Sequence, residues 1–213
     1  MKKLGIVLMV TGAIMVGWFG YQHWSGMQSV SELDGNVVKT PVSNDENNSH
    51  EEDKSSEADQ TWNTQYIAQA SYHDGDEIAK LVMPSIDLSF DVFWGTGDEA
   101  LAKGVGMYDS QLTTTPDMGG HTVLSGHRDS VFQPVGDLED GDSLYVRYGD
   151  QDYEYRVNKT WITEAEDRSV IVEKDDPTLT LSTCYPFQFI GSAPDRYIVE
   201  AEFIQKGDLL DLD

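Results

Sequence analysis

Seven runs between residues 78 and 204 each read as a short strand: IAKLVMPSI, LSFDVFWG, GHTVLSGH, DSLYVRYGD, DYEYRVNKTWIT, PTLTLSTC and RYIVEAEFI. Several alternate with a period of two. Tyr153, Tyr155 and Val157 fall on one face, as do Tyr197, Val199, Ala201 and Phe203. Turn chemistry separates the runs, as in YGDQDY at 148–153. Helical patterning is confined to Asp98 to Lys103 and Ser130 to Leu138. This texture predicts one mainly β domain over 77–213, an antiparallel-rich barrel or sandwich large enough to bury its own core.

The N-terminus has a different character. Leu4 to Tyr21 is 18 residues without a charge, about the minimum that spans a bilayer as a helix. Trp18, Tyr21 and Trp24 crowd its far end, and Lys2 and Lys3 precede it. The pattern predicts a cytoplasmic tail at 1–3, a transmembrane anchor at 4–21 and everything later outside the cell membrane. A cleaved secretory signal has a similar start, but no clear small-x-small cleavage site follows; either reading exports the rest of the chain. Residues 22–76, centred on VSNDENNSHEEDKSSEADQ, read as an acidic flexible linker too poor in apolar residues to fold alone. The formal charge is −24 over 213 residues, which argues against nucleic acid as a partner.

Cys184 is the sole cysteine, so no internal disulfide is available to it. An exported lone thiol is either buried and inert or reactive. In TLTLSTC, Leu179, Leu181 and Thr183 share one face, and Thr180, Ser182 and Cys184 share the other, more polar one. The thiol thus ends a strand on its hydrophilic side. An unperturbed thiol is only a few per cent ionised at neutral pH and needs a proton-exchanging partner. Of the five histidines, His127 closes a strand-like run after Gly126, which permits close backbone approach, whereas His121 follows Gly119-Gly120 and reads as a loop residue. Arg196 faces away from Tyr197, Val199 and Ala201 at the start of the following strand, and is the candidate donor for a developing oxyanion. Arg128 and Arg147 are alternatives with surface readings.

LSGHRD, TLTLSTC and DRYIV together resemble the sortase family of cysteine transpeptidases, with 57 residues from histidine to cysteine and 12 from cysteine to arginine. The CYPFxxIGxAPDRY continuation looks most like class D sortases of Gram-positive bacteria. The resemblance implies an eight-stranded β-barrel and a mechanism in which Cys184 attacks an LPxTG-like sorting signal of an exported protein between Thr and Gly (or Ala). A thioester on Cys184 then passes to an amine of a peptidoglycan precursor. His127 would handle the protons and Arg196 would bind the substrate backbone or the oxyanion; Asp129 is given no role. No cofactor is required. Two acidic groups, Asp137, Glu139, Asp140, Asp142 and Glu164, Glu166, Asp167, leave Ca²⁺ open as a ligand. The competing readings are a hydrolase using the same residues and a non-catalytic binding module with an inert Cys184.

Overall fold

The structure, a computed structural model, describes residues 30–32 (backbone only), 71–188, 191 and 193–208. The expected anchor at 4–21 lies outside these residues, as does most of the expected linker. Among the described residues no helix is long and apolar enough to cross a membrane.

Nine strands and one short helix follow in chain order. They are β1 (Val30–Glu32), β2 (Glu77–Met83), β3 (Leu88–Trp94), α1 (Asp98–Lys103), β4 (Val105–Met107) and β5 (His121–Gly126). Then come β6 (Ser143–Tyr148), β7 (Gln151–Glu164), β8 (Thr178–Tyr185) and β9 (Asp195–Asp208). The sheet runs β1-β3-β2-β6-β7-β9-β8-β5-β4, and β4 pairs again with β3. That last pairing closes β2 to β9 into an eight-stranded barrel, leaving β1 outside the ring. Its interior holds Leu81, Phe90, Leu124, Leu144, Val146, Tyr155, Leu179, Leu181 and Val199, all essentially inaccessible to water. The faces read from alternation are the faces that pack. Tyr153, Tyr155, Val157, Val199 and Ala201 belong to the core, and Tyr197 and Phe203 lie against it. The YGDQDY segment is a two-residue hairpin between Tyr148 and Gln151, with Gly149 at φ +60°, where a Cβ is unfavourable.

Four sequence expectations change. Val30–Glu32, inside the segment read as linker, pairs antiparallel with Leu88–Phe90. Residues 71–76, at the linker's end, pack on the barrel: the Tyr72 ring lies 5.2 Å from Trp94 and its hydroxyl 3.0 Å from that of Tyr148. The 130–138 stretch is turns followed by a 3₁₀ turn at Pro134–Asp137, because Pro134 lacks an N–H for a longer helix and Gly136 disfavours one. Finally, His121 is the first residue of β5 and is 1% exposed. Its Nδ1 lies 2.7 Å from the Val172 carbonyl, which can only accept, so Nδ1 carries the proton. Its Nε2 therefore accepts from the Thr180 hydroxyl at 2.8 Å.

Strand β4 has three residues and no room for side-chain error. Gly95 N–H donates to the Met107 carbonyl at 2.9 Å, and a Cβ on Gly106 would lie 2.4 Å from the Gly95 carbonyl oxygen. Backbone cannot swing aside as a side chain can. Gly106→Ala is expected to cost about 1–3 kcal/mol in denaturant unfolding, the range of overpacked cores, by prising β4 from β3.

Burial holds the His121 imidazole below its ordinary 6.5; the Val172 carbonyl opposes this, Lys174 adds to it and Glu200 opposes it. The unfolded chain thus binds a proton at pH values where the folded one does not. Stability from neutral His121 is complete above 6.5 and is lost as pH falls from there toward the depressed folded value. Measured by urea unfolding, the decline below pH 6.5 should be shallower in His121→Asn, by up to about 1.4 kcal/mol per pH unit.

Candidate active site

Strands β5 and β8 run parallel, with Gly126 opposite Thr183 at their shared end. The buried Thr183 hydroxyl donates to the Gly126 carbonyl at 2.7 Å and locks that register. A Cβ on Gly126 would sit 2.7 Å from the Phe132 ring, so only glycine lets this turn fold back on itself. The next residues out are His127, just past the end of β5, and Cys184, the penultimate residue of β8. Antiparallel pairing then sets Cys184 opposite Arg196 on β9, and Arg196 opposite Thr163 on β7. Paired residues point to the same face of a sheet. Thr163, Arg196 and Cys184 therefore form a row across β7, β9 and β8, on the outer face of the barrel wall, and His127 follows directly on the end of β5 beside it.

This row is the floor of a groove of about 690 Å³ whose lining includes His127, Cys184, Arg196, Ser182, Thr183 and Ile198. The three residues singled out by sequence thus meet in one place. Cys184 is half-buried and its thiol is free; His127 is exposed to solvent. Arg196 Nη1 donates to the carbonyl of Asp195 at 3.0 Å, and among the described residues the guanidinium makes no ion pair.

One wall of the groove is the connection from β7 to β8, through Glu164 to Arg168 and then Val170 and Ile171. Asp167 shapes it: its carboxylate accepts from the Thr163 hydroxyl and from the Ser169 N–H at 2.8 Å and hydroxyl at 2.6 Å. Donation by the Ser169 hydroxyl, then Thr163 and the Ser169 N–H, lowers the Asp167 carboxyl to about 2. The loop carboxylate nearest the row is thereby satisfied by neutral donors rather than by Arg196. Among the described residues no three His, Cys, Asp or Glu gather to hold a metal ion.

Sequence reasoning misplaced one arginine. Arg128 is not a surface residue: it is 9% exposed, and its Nη2 donates 2.6 Å to the Gly191 carbonyl in the β8–β9 connection. It ties the His127 turn to the loop joining Cys184 to Arg196. Arg147 lies on β6 in a paired contact with the nearly buried Asp152, at 3.0 and 3.2 Å. Thr163 was missed altogether, because its place in the row depends on the β7–β9 register and not on any local pattern. On the opposite side of β8 from Cys184, the Tyr185, Phe187 and Tyr197 rings cluster with centroids 5.2–6.3 Å apart, Tyr185 stacked on Tyr197 and edge-on to Phe187. They brace the strand end, and Phe187 packs on Gly136.

Comparison with known proteins agrees with this geometry. The Sortase domain family matches residues 81–204. Sortase D of Bacillus subtilis is 41% identical over 120 residues, covering 56% of this chain and 60% of that one. Sortase A of Listeria monocytogenes is 26% identical over 205 residues, covering 86% and 83%. Among solved structures, the catalytic domain of B. anthracis SrtD superposes with a TM-score of 0.58 at 49% identity, covering 65% of this chain and 95% of that domain. With a sortase barrel closed around the expected core and the family match spanning most of it, the chain belongs to the sortase family.

Proposed function

We propose that this chain is a cysteine transpeptidase acting outside the cell membrane, with residues 4–21 as its anchor, 77–213 as the catalytic domain and, between them, a spacer whose residues 30–32 and 71–76 dock on that domain. The observation that carries the proposal is that Arg196, Cys184 and His127 line a single groove, with Cys184 and Arg196 paired across β8 and β9. The donor is an exported protein bearing an LPxTG-like sorting signal. Cys184 Sγ, as thiolate, attacks the carbonyl carbon of its Thr, and the C–N bond to Gly or Ala breaks. His127, as imidazolium, gives its proton to the departing amine. Arg196 donates N–H groups to the oxygen on which charge develops, which is where a fixed cation has most effect.

The thioester on Cys184 is then attacked by a cell-wall amine from a peptidoglycan precursor. The new amide forms, His127 takes the proton released by the amine, and Sγ leaves as thiolate. Bond and proton balance close over the cycle, and no cofactor or metal enters any step. The exposure of His127 supports this reading, since its imidazole must meet the leaving and entering amines in turn. An anchor at 4–21 would hold the enzyme near both substrates and raise its effective concentration there.

Transpeptidation of a labelled LPxTG-type peptide tests the assignment. Cys184→Ala and His127→Ala are each expected to lower the rate by about 10³-fold or more, and Arg196→Ala by about 10²-fold or more. Hydroxylamine should divert the thioester to a hydroxamate in the wild type and not in Cys184→Ala. Product unchanged by abundant amine would identify a hydrolase instead, and full activity in Cys184→Ala would discard the cysteine mechanism.

A further inference from the structure

The outer face carrying the row is not bare along its length. His121 stands on the outer face of β5, which leads at its far end into His127, Thr180 shares a face of β8 with Cys184, and Glu200 shares a face of β9 with Arg196. Thr180 and Glu200 are themselves cross-strand partners. Val123, next along that face of β5, is fully buried. The descending limb of the β7–β8 connection crosses this end of the face and is pinned there twice. The His121 Nδ1–H donates to the Val172 carbonyl at 2.7 Å, and Lys174 Nζ meets Glu200 at 2.5 Å. Directly before these pins stand Val170 and Ile171, both lining the groove.

The two pins have a clear division of labour. Val172 is 38% exposed and gains little by burial, so its side chain does not hold the limb down. The carbonyl does, through a ring that is itself 1% exposed and fixed on its other nitrogen by Thr180 at 2.8 Å. A ring oriented from both sides sets the position of the carbonyl it binds within a narrow range.

We infer that His121 is a positioning residue for the donor peptide, holding the Val170–Ile171 wall at the height that fits a peptide against the Cys184 row. The kinetic part of this inference rests on the transpeptidase reading above; the structural part does not. His121 touches neither the reacting atoms nor the groove itself, and acts through Val172.

The test compares the wild type with His121→Ala, His121→Asn and Lys174→Met. Asparagine can place its amide N–H where Nδ1 stands and should keep the bond to Val172. In His121→Ala, hydrogen exchange at residues 170–173 should quicken by about tenfold or more while exchange in β8 stays slow. The same variant should raise KM for a labelled LPxTG-type peptide by about tenfold, with alkylation of Cys184 by iodoacetamide unchanged. His121→Asn should restore most of both, and Lys174→Met should move both in the same direction as alanine. It also serves if His121→Ala does not fold. Unaltered exchange and unaltered KM in the folded variants would overturn the inference. A wild type that cleaves no such peptide would overturn the transpeptidase reading instead, and the exchange measurement would then decide the role of His121 by itself.

Discussion

The arrangement of this protein depends on the parallel pairing of β5 with β8. Parallel neighbours point their C-terminal ends the same way, so the residues that leave two such strands emerge together. Here that shared end carries His127, just past β5, and Cys184, the penultimate residue of β8, which are far apart in sequence. The register is held by a buried hydroxyl-to-carbonyl bond from Thr183 to Gly126, where a shift of one residue would turn Cys184 into the barrel. Such a pairing cannot be made by a tight turn. The β6–β7 hairpin lies between the two strands in sequence, and the limb that returns from it supplies a wall of the groove.

A second constraint is electrostatic. In a chain with 38 acids and 14 Lys and Arg, a basic side chain is easily drawn into an ion pair. Lys80 pairs with Asp91, Lys103 with Glu99, Arg147 with Asp152 and Lys174 with Glu200. Arg196 instead bonds a backbone carbonyl, and the loop carboxylate of Asp167 is engaged by Thr163 and Ser169. Neutral donors thus hold an anion beside the row without neutralising the cation that the proposed chemistry uses.

Much of the barrel was legible because alternation directly reports which side chains face the core. Tyr153, Tyr155 and Val157 were grouped on one face by periodicity, as were Val199 and Ala201, and those faces pack in the core. The polar face of TLTLSTC was likewise visible before any packing was known. Strand β4 was not legible: Val105–Met107 is too short to display a period, and it is a strand only because β3 and β5 flank it. Strand β1 was hidden for a similar reason, in a segment whose composition speaks against burial while its backbone pairs with the edge of β3. His121 was misread as a loop residue because two glycines precede it, a local signal that tertiary pairing with Thr178 overrides.

By itself, the sequence determined the residue types that can do chemistry and the face on which each would stand: a lone thiol on a polar strand face, a histidine ending a strand, an arginine turned from the core. Those follow from side-chain chemistry and a two-residue repeat, both of which are local. Tertiary structure alone decided which of these strands are neighbours and in what register. It set Thr163, Arg196 and Cys184 in one row with His127 in the same groove, buried Arg128 beneath the β8–β9 connection, and gave His121 a carbonyl to hold. Register is a property of pairs of strands, selected by the closure of the whole barrel, and no single segment carries it.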